Sequence, residues 1–298
     1  MTVDTTVRIR THAKVNLFLR VLGLRRDGFH DIETVLHGIS LYDEIDIDLV
    51  GTDTVVTMEL LDGLSGTLPS DEENLVGRAA RALIDGLDGV YGARVHVKKG
   101  IPIAAGLGGG SGNAAGALVT LAEMWKLDVD RDRLFALAGQ LGSDVPYCID
   151  GGTALATARG DQLTPLPNIA PMWFVLGGTN HPLFTKEIYE LWDSMEPPAE
   201  ASVVSLTMAL GAGDGAEVAT LLHNDLEAPA FSLRPELAVK KQALLDAGAL
   251  GASMSGSGPT LFAIAASEDH ARAIAAEVAD RFDWTKVVGS QGACIERL

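Results

Sequence analysis

Apolar and polar positions alternate early in the chain with a period that predicts strands. Val15, Leu17, Leu19 and Val21 alternate with Asn16, Phe18 and Arg20, and Ile45, Ile47 and Leu49 alternate with Asp46 and Asp48. A period of two puts one set on a core face; in the second strand the other face is acidic. Residues 55–61 and 95–97 are further strand candidates. The period then changes. Leu75, Val76, Ala79, Ala80, Leu83, Ile84 and Leu87 recur at helical spacing, with Ser70 or Asp71 available as a cap. A second helix is expected from Ser111 to about Trp125, and a third from about Asp132 to Leu141.

The second half repeats the mixture. Strands are expected at 172–176, 260–265 and 293–297, and helices at 186–195, 217–226, 236–247 and 269–282. Strands and helices interleave throughout, so the class is α+β or α/β. The loop-rich, proline-bearing stretch 157–171 is the candidate boundary, giving units 1–157 and 158–298.

Composition narrows the function. Apolar residues make up 47% and charged residues 21%, the balance of a folded globular chain. Lys and Arg number 23 against 40 Asp and Glu, a net charge of −17. No basic cluster exceeds two residues, so an extended nucleic-acid footprint is not expected, and an acidic surface disfavours anionic membranes. No apolar run is long enough to span a bilayer, and residues 1–10 carry no signal-peptide pattern; a cytoplasmic protein is the expectation. Cys148 and Cys294 are too few for a disulfide framework or a four-ligand zinc site, and are expected as packed small hydrophobes.

The most informative stretch is residues 99–115, with five glycines between Gly106 and Gly112. A strand leads in and a helix leads out. Glycines there let backbone N–H groups approach a ligand closely, and the helix N-terminus adds partial positive charge; together they make an anion cradle suited to phosphate. It is not a Walker A loop, because the chain has no Gly-Lys pair. A dinucleotide fingerprint fits poorly, because Ser111 stands where its third glycine belongs. A plain turn packing a helix on a sheet would need fewer glycines. Ser111 can serve as the helix N-cap, a phosphate ligand, or both.

At these residues the sequence resembles the small-molecule kinases that include galactokinase, homoserine kinase, mevalonate kinase and phosphomevalonate kinase. The loop Pro102 to Ala115 is similar to their phosphate loop, Leu141 to Pro146 with Gly151 to Ala154 to their acidic motif, and Met254 to Thr260 to their C-terminal glycine loop. Ala13 to Leu17 and Arg26 to His30 resemble the branch acting on a cytidine-diphosphate-linked methylerythritol in non-mevalonate isoprenoid synthesis. The resemblance implies an α+β fold of two lobes: an N-terminal ATP-binding lobe and a C-terminal ferredoxin-like α/β lobe with substrate held between them. It implies ATP and Mg²⁺, a small-molecule alcohol substrate phosphorylated on its 2-hydroxyl, no nucleic acid, no membrane, and a monomer or weak homodimer.

Roles carried over by resemblance are specific. Asp144 is the candidate base for the acceptor hydroxyl, and Lys14 its partner, able to stabilise developing charge. Without the motifs, Lys14 would read as a strand-surface lysine and Asp144 as a turn cap. ATP falls to Pro102, Ile103, Ala104, Ala105, Gly106, Leu107, Gly108, Gly109, Gly110, Ser111 and Gly112, with Asn74 and Leu75 near the adenine. Gly112 replaces the serine or alanine usual in the family, which removes a hydroxyl and keeps the backbone donors. Substrate falls to Asn16, Phe29, His30 and Tyr189, the aromatics stacking on cytosine and His30 bonding its edge. Phe29 and His30 also fit a packed hairpin tip, and Tyr189 a helix core position. Ser255 and Gly256 are expected against substrate or phosphates. No protein-held metal cluster is expected. The alternatives are another small-alcohol kinase of this fold, a catalytically silent nucleotide-binding sensor, and an NAD-dependent dehydrogenase.

Overall fold

The computed structural model describes residues 6–51, 53–61, 67–70, 73–166, 170–196 and 201–298. The first lobe opens with a long antiparallel hairpin, β1 (Val7–Leu24) and β2 (His30–Val50). Its alternation holds only at the ends. Residues 11–19 of β1 are buried on both faces, so Asn16 and Phe18 are as covered as Val15 and Leu17. Then follow β3 (Val55–Leu60), α1 (Leu75–Ile84), β4 (Gly92–Lys99), α2 (Gly109–Met124), α3 (Arg131–Leu141), α4 (Val145–Asp150), β5 (Thr153–Thr157) and β6 (Gln162–Pro165). β3 and β4 are parallel, with α1 as their crossover. Ile45, Ile47, Val95 and Val97 on the sheet bury against Val76, Leu83, Leu118, Leu121 and Leu137 on the helices.

The cap of α1 is Asn74, whose side chain accepts the Val76 amide at 3.0 Å; Ser70, expected there, bonds Glu73 instead, and Asp71 lies outside the described residues. Cys148 and Cys294 are both buried.

The second lobe comprises β7 (Trp173–Gly178), α5 (Thr185–Trp192), α6 (Val203–Ala212), α7 (Gly215–Thr220), β8 (His223–Asn224), α8 (Glu227–Leu233), α9 (Pro235–Asp246), β9 (Gly251–Met254), β10 (Leu261–Ala265), α10 (Glu268–Glu277), β11 (Trp284–Gly289) and β12 (Ile295–Arg297). Its sheet runs β11-β7-β10-β9 with every neighbour antiparallel, the ferredoxin-like order. One face (Phe174, Leu176, Phe262, Ile264) packs with Val15, Leu17 and Ile39 of the first lobe. The other (Val175, Leu261, Ala263) packs with Leu237, Leu244 and Ile274.

Two expected helices need correction. The helix expected at 217–226 stops at Thr220, because His223–Asn224 pairs in parallel with β1 and the Asn224 amide donates to the carbonyls of Met254 and Gly256. The helix expected to reach Phe282 stops at Glu277, followed by a single 3-10 turn at Ala279–Arg281. The Phe282 ring lies over Gly177, where a Cβ would sit 2.5 Å from it, a contact that needs glycine on β7. The stretch expected as linker holds β6, which pairs with β5 in the first sheet. A boundary after residue 157 thus falls inside a hairpin, and we propose that the lobes divide after β6. The chain also returns: β8 and β12 both join β1. No helix among the described residues is long and apolar enough to cross a membrane.

Candidate active site

Gly108 adopts the left-handed conformation (φ 73°) and starts α2 at Gly109, two residues before the expected start. Ser111 is therefore inside the first turn and is not the cap. The amides of Gly109, Gly110 and Ser111 lie in the first turn, where α-helical geometry supplies no partner. The Gly112 amide is already bonded to the Gly108 carbonyl at 2.8 Å. Gly109, Gly110 and Ser111, with the helix dipole behind them, line a cavity of about 340 Å³ together with Asn74, Leu75 and Pro102 through Gly108. Gly112 stands apart from the other expected loop residues. A Cβ there would contact His12 and Thr11 of β1, at 3.5 and 3.6 Å, and would not face the cavity.

A second cavity of about 780 Å³ meets the first at Gly106, Gly108 and Ser111. It collects Lys14, Asn16, Phe29, His30, Asp144 and Tyr189. The Lys14 ammonium, on a residue 3% exposed, has three oxygens around it: Asn16 Oδ1 at 2.7 Å, the Gly106 carbonyl at 3.0 Å and Asp144 Oδ2 at 3.4 Å. Three acceptors match its three protons. Asn16 is held in turn by donating to Thr34 Oγ1 at 2.9 Å. Asp144 precedes α4, whose start is set by Pro146, and its side chain makes no capping bond, so the carboxylate turns to Lys14. The Lys14 amide donates to the Leu107 carbonyl at 3.0 Å, tying β1 to the glycine loop. On the opposite side, Ser255 Oγ donates to the Gly106 carbonyl at 2.8 Å. A Cβ on Gly106, at φ 75°, would lie 2.2 Å from the Ser255 carbonyl oxygen, so only glycine lets the two loops touch. Ser255 is wholly buried in that contact, while Gly256 lines the cavity.

The far end of this cavity joins the lobes. Phe29, at the β1–β2 tip, is 51% exposed, with the Arg159 guanidinium 5.0 Å above its ring. The His30 ring packs on Tyr189 at 4.7 Å and meets Trp192 edge-on at 5.9 Å. Its Nε2 bonds Asp193 Oδ1 at 2.8 Å. Burial pushes the Tyr189 phenol well up, so it stays neutral and offers a ring face and a hydroxyl.

A glycine loop and helix start opening onto a lysine–carboxylate pair is an arrangement suited to phosphoryl transfer. The sequence pattern of the GHMP kinases N terminal domain matches residues 74–152, and that of the GHMP kinases C terminal matches residues 206–283. A "4-diphosphocytidyl-2-C-methyl-D-erythritol kinase" from Thermobifida fusca (strain YX) is 41% identical over 284 residues, 93% of this chain and 92% of that one. The chain belongs to the GHMP kinases. A protein of the same name from Pelotomaculum thermopropionicum is 43% identical over 266 residues, covering 89% of this kinase and 91% of its relative. A crystal structure of 4-(cytidine 5'-diphospho)-2C-methyl-D-erythritol kinase superposes with a TM-score of 0.79 at 32% identity, over 96% of this chain and 100% of that one. Homoserine kinase from Cytophaga hutchinsonii shares the fold, with a TM-score of 0.76 at 20% identity over 100% and 99% of the two chains.

Several residues of this GHMP kinase site carried no local signal in the sequence. Arg159 and Asp193 reach the larger cavity only through tertiary packing. Lys99 and Asn113 line the smaller cavity from beneath the loop, and Asp43 stands behind them. Lys99 and Asn113 bracket the glycine motif in the sequence, which is the one signal that could have found them.

Proposed function

We propose that this kinase transfers the γ-phosphoryl group of ATP to the 2-hydroxyl of 4-diphosphocytidyl-2-C-methyl-D-erythritol. The relatives' names support the acceptor. The observation that carries the reaction is the junction of the two cavities, where Lys14 and Asp144 stand beside the glycine loop. The ATP phosphates would take the first-turn amides of α2, with the adenine end toward Asn74 and Leu75. The alcohol would enter from the larger cavity, its hydroxyl at Asp144. Asp144 accepts the hydroxyl proton as the new O–P bond forms and the bond to the β-phosphate oxygen breaks, releasing ADP. Lys14, fixed by Asn16 and Gly106, places its charge against the transferring group. Phe29 and Tyr189 would offer ring faces to cytosine and His30 its edge, oriented through Asp193.

Among the described residues no cluster of three or more His, Cys, Asp or Glu is placed to hold a metal ion. Mg²⁺ commonly takes few protein oxygens beside substrate phosphates and water, and the Ser111 hydroxyl, which lines both cavities, fits that use. When bound it would offset phosphate charge.

The test is a coupled ATP-turnover assay with magnesium, comparing the diphosphocytidyl compound with methylerythritol phosphate, homoserine and mevalonate. Turnover is expected with the cytidine compound alone. Asp144→Asn should lower kcat by about 10²- to 10⁴-fold. Turnover of another alcohol would remove the cytosine reading; ATP binding with no turnover of any would point to the silent sensor.

A further inference from the structure

Directly under the glycine loop lies a closed polar cluster of Asp43 (β2), Lys99 (end of β4), Asn113 (α2) and Thr11 (β1), respectively 0%, 5%, 1% and 0% exposed. Every acceptor position of the Asp43 carboxylate is used. Oδ1 accepts the backbone amides of Gly100 and Ile101, each at 2.8 Å. Oδ2 accepts Asn113 Nδ2 at 2.8 Å and the Lys99 ammonium. Lys99 also donates to Asn113 Oδ1 at 3.0 Å, and Asn113 Nδ2 to Thr11 Oγ1 at 2.9 Å.

These bonds grip the loop at both ends. Gly100 and Ile101 are its entrance; Asn113 is in the helix turn that follows its exit. The grip needs a close approach: a Cβ on Gly100 would lie 2.3 Å from the Tyr42 carbonyl oxygen, and one on Gly109 would lie 3.2 Å from the Lys99 nitrogen. A buried ion pair is generally no more stabilising than well-packed apolar side chains of the same volume. What its geometry does is specific: one carboxylate fixes the spacing between the strand end and the helix whose first turn lines the smaller cavity.

We propose that Asp43, through Lys99 and Asn113, is a positioning residue for the nucleotide, setting the shape of the glycine loop before ATP arrives. This rests on the reading that the loop holds the nucleotide. The cluster has a directional test, because its donors and acceptors can be exchanged. In Asp43→Asn the amide oxygen can still accept from Gly100 and Ile101, but its NH₂ faces two other donors, Lys99 and Asn113, and the lysine loses its counter-charge. In Asp43→Asn with Asn113→Asp the carboxylate moves to position 113. It accepts from Lys99, from the side-chain amide introduced at position 43 and from Thr11, and the charge balance returns.

The experiment measures ATP affinity by titration calorimetry, and KM for each substrate, in the full chain. Asp43→Asn is expected to weaken ATP binding and raise KM for ATP by about tenfold, with KM for the alcohol unchanged. The double exchange should return ATP affinity to within about threefold of the parent. Asn113→Ala keeps the ion pair, is expected to fold, and should weaken ATP binding about threefold; it carries the test if Asp43→Asn does not fold. A double variant binding ATP no better than Asp43→Asn, or an Asn113→Ala variant that binds ATP like the parent, overturns the proposal. A parent chain that binds no ATP breaks the underlying reading instead.

Discussion

On the side proposed for the nucleotide the wall comes from one lobe and is dominated by one continuous stretch: residues 102–111 all line the cavity, five of them between Gly106 and Ser111 with little or no side chain. On the acceptor side the wall is side chains from both lobes: Lys14 and Asn16 of β1, the hairpin tip at Phe29 and His30, Asp144, Arg159, and Tyr189 and Asp193 of the α5 segment. The difference is chemical. Phosphate is the same on every nucleotide, and backbone donors suffice to hold it. One alcohol is told from another by shape and by particular polar groups, which only side chains supply. The acceptor side therefore depends on how the lobes meet, and the nucleotide side much less.

Variants can test that division. The largest effect is expected where the cavities join. Lys14→Met should lower kcat by about 10³-fold, roughly 4 kcal/mol, with modest changes in either KM, because its charge acts on the transferring group. Equal rises in both KM values with kcat preserved would assign Lys14 to binding alone.

Acid should act on the lobe junction. His37 is fully buried between Thr153 Oγ1 at 2.7 Å and Ser290 Oγ at 2.8 Å, and Ser290 Oγ also accepts the Met172 amide. Burial lowers its pKa from 6.5 to about 4. Between those values the unfolded chain holds the proton and the folded chain does not, so stability falls as pH drops through this window, by on the order of 3 kcal/mol. His37→Gln should flatten that part of a melting-temperature profile. Acceptor binding should weaken at higher pH than ATP binding does.

Gly106→Ala comes next. It combines an unfavourable φ with a clash against Ser255, and should cost about 2 kcal/mol in thermal or denaturant unfolding while raising KM for both substrates. Phe29→Ala is the smallest, a rise of about tenfold in KM for the cytidine compound, with KM for ATP unchanged. A matching rise in KM for ATP would deny the separation of the two sides.

The same contrast governs what could be read from the sequence. The glycine loop was legible because its chemistry lies within one short stretch whose lead-in strand and following helix are also local. Its helix start was misplaced by two residues, since a left-handed glycine can open a helix without a capping side chain. Lys14 and Asp144 meet only in three dimensions, and without the family resemblance each reads as bland. Arg159, Asp193 and Asp43 left no trace, because nothing in their neighbours specifies what the fold brings to them. The alternation along β1 misled in its middle for a similar reason: a strand covered on both faces no longer shows its period. Asn224 broke a helical pattern through bonds to carbonyls of a distant loop.

The pairing of Ile295–Arg297 with β1 has a consequence for synthesis. Domains generally fold as units as the chain emerges from the ribosome, N-terminal first. Here residues 9–11 of β1, paired with β2 on one side, find their second partner only after the entire second lobe has been translated. Until then the first sheet carries an open edge along one of its most buried strands, the kind of surface that invites pairing with other chains.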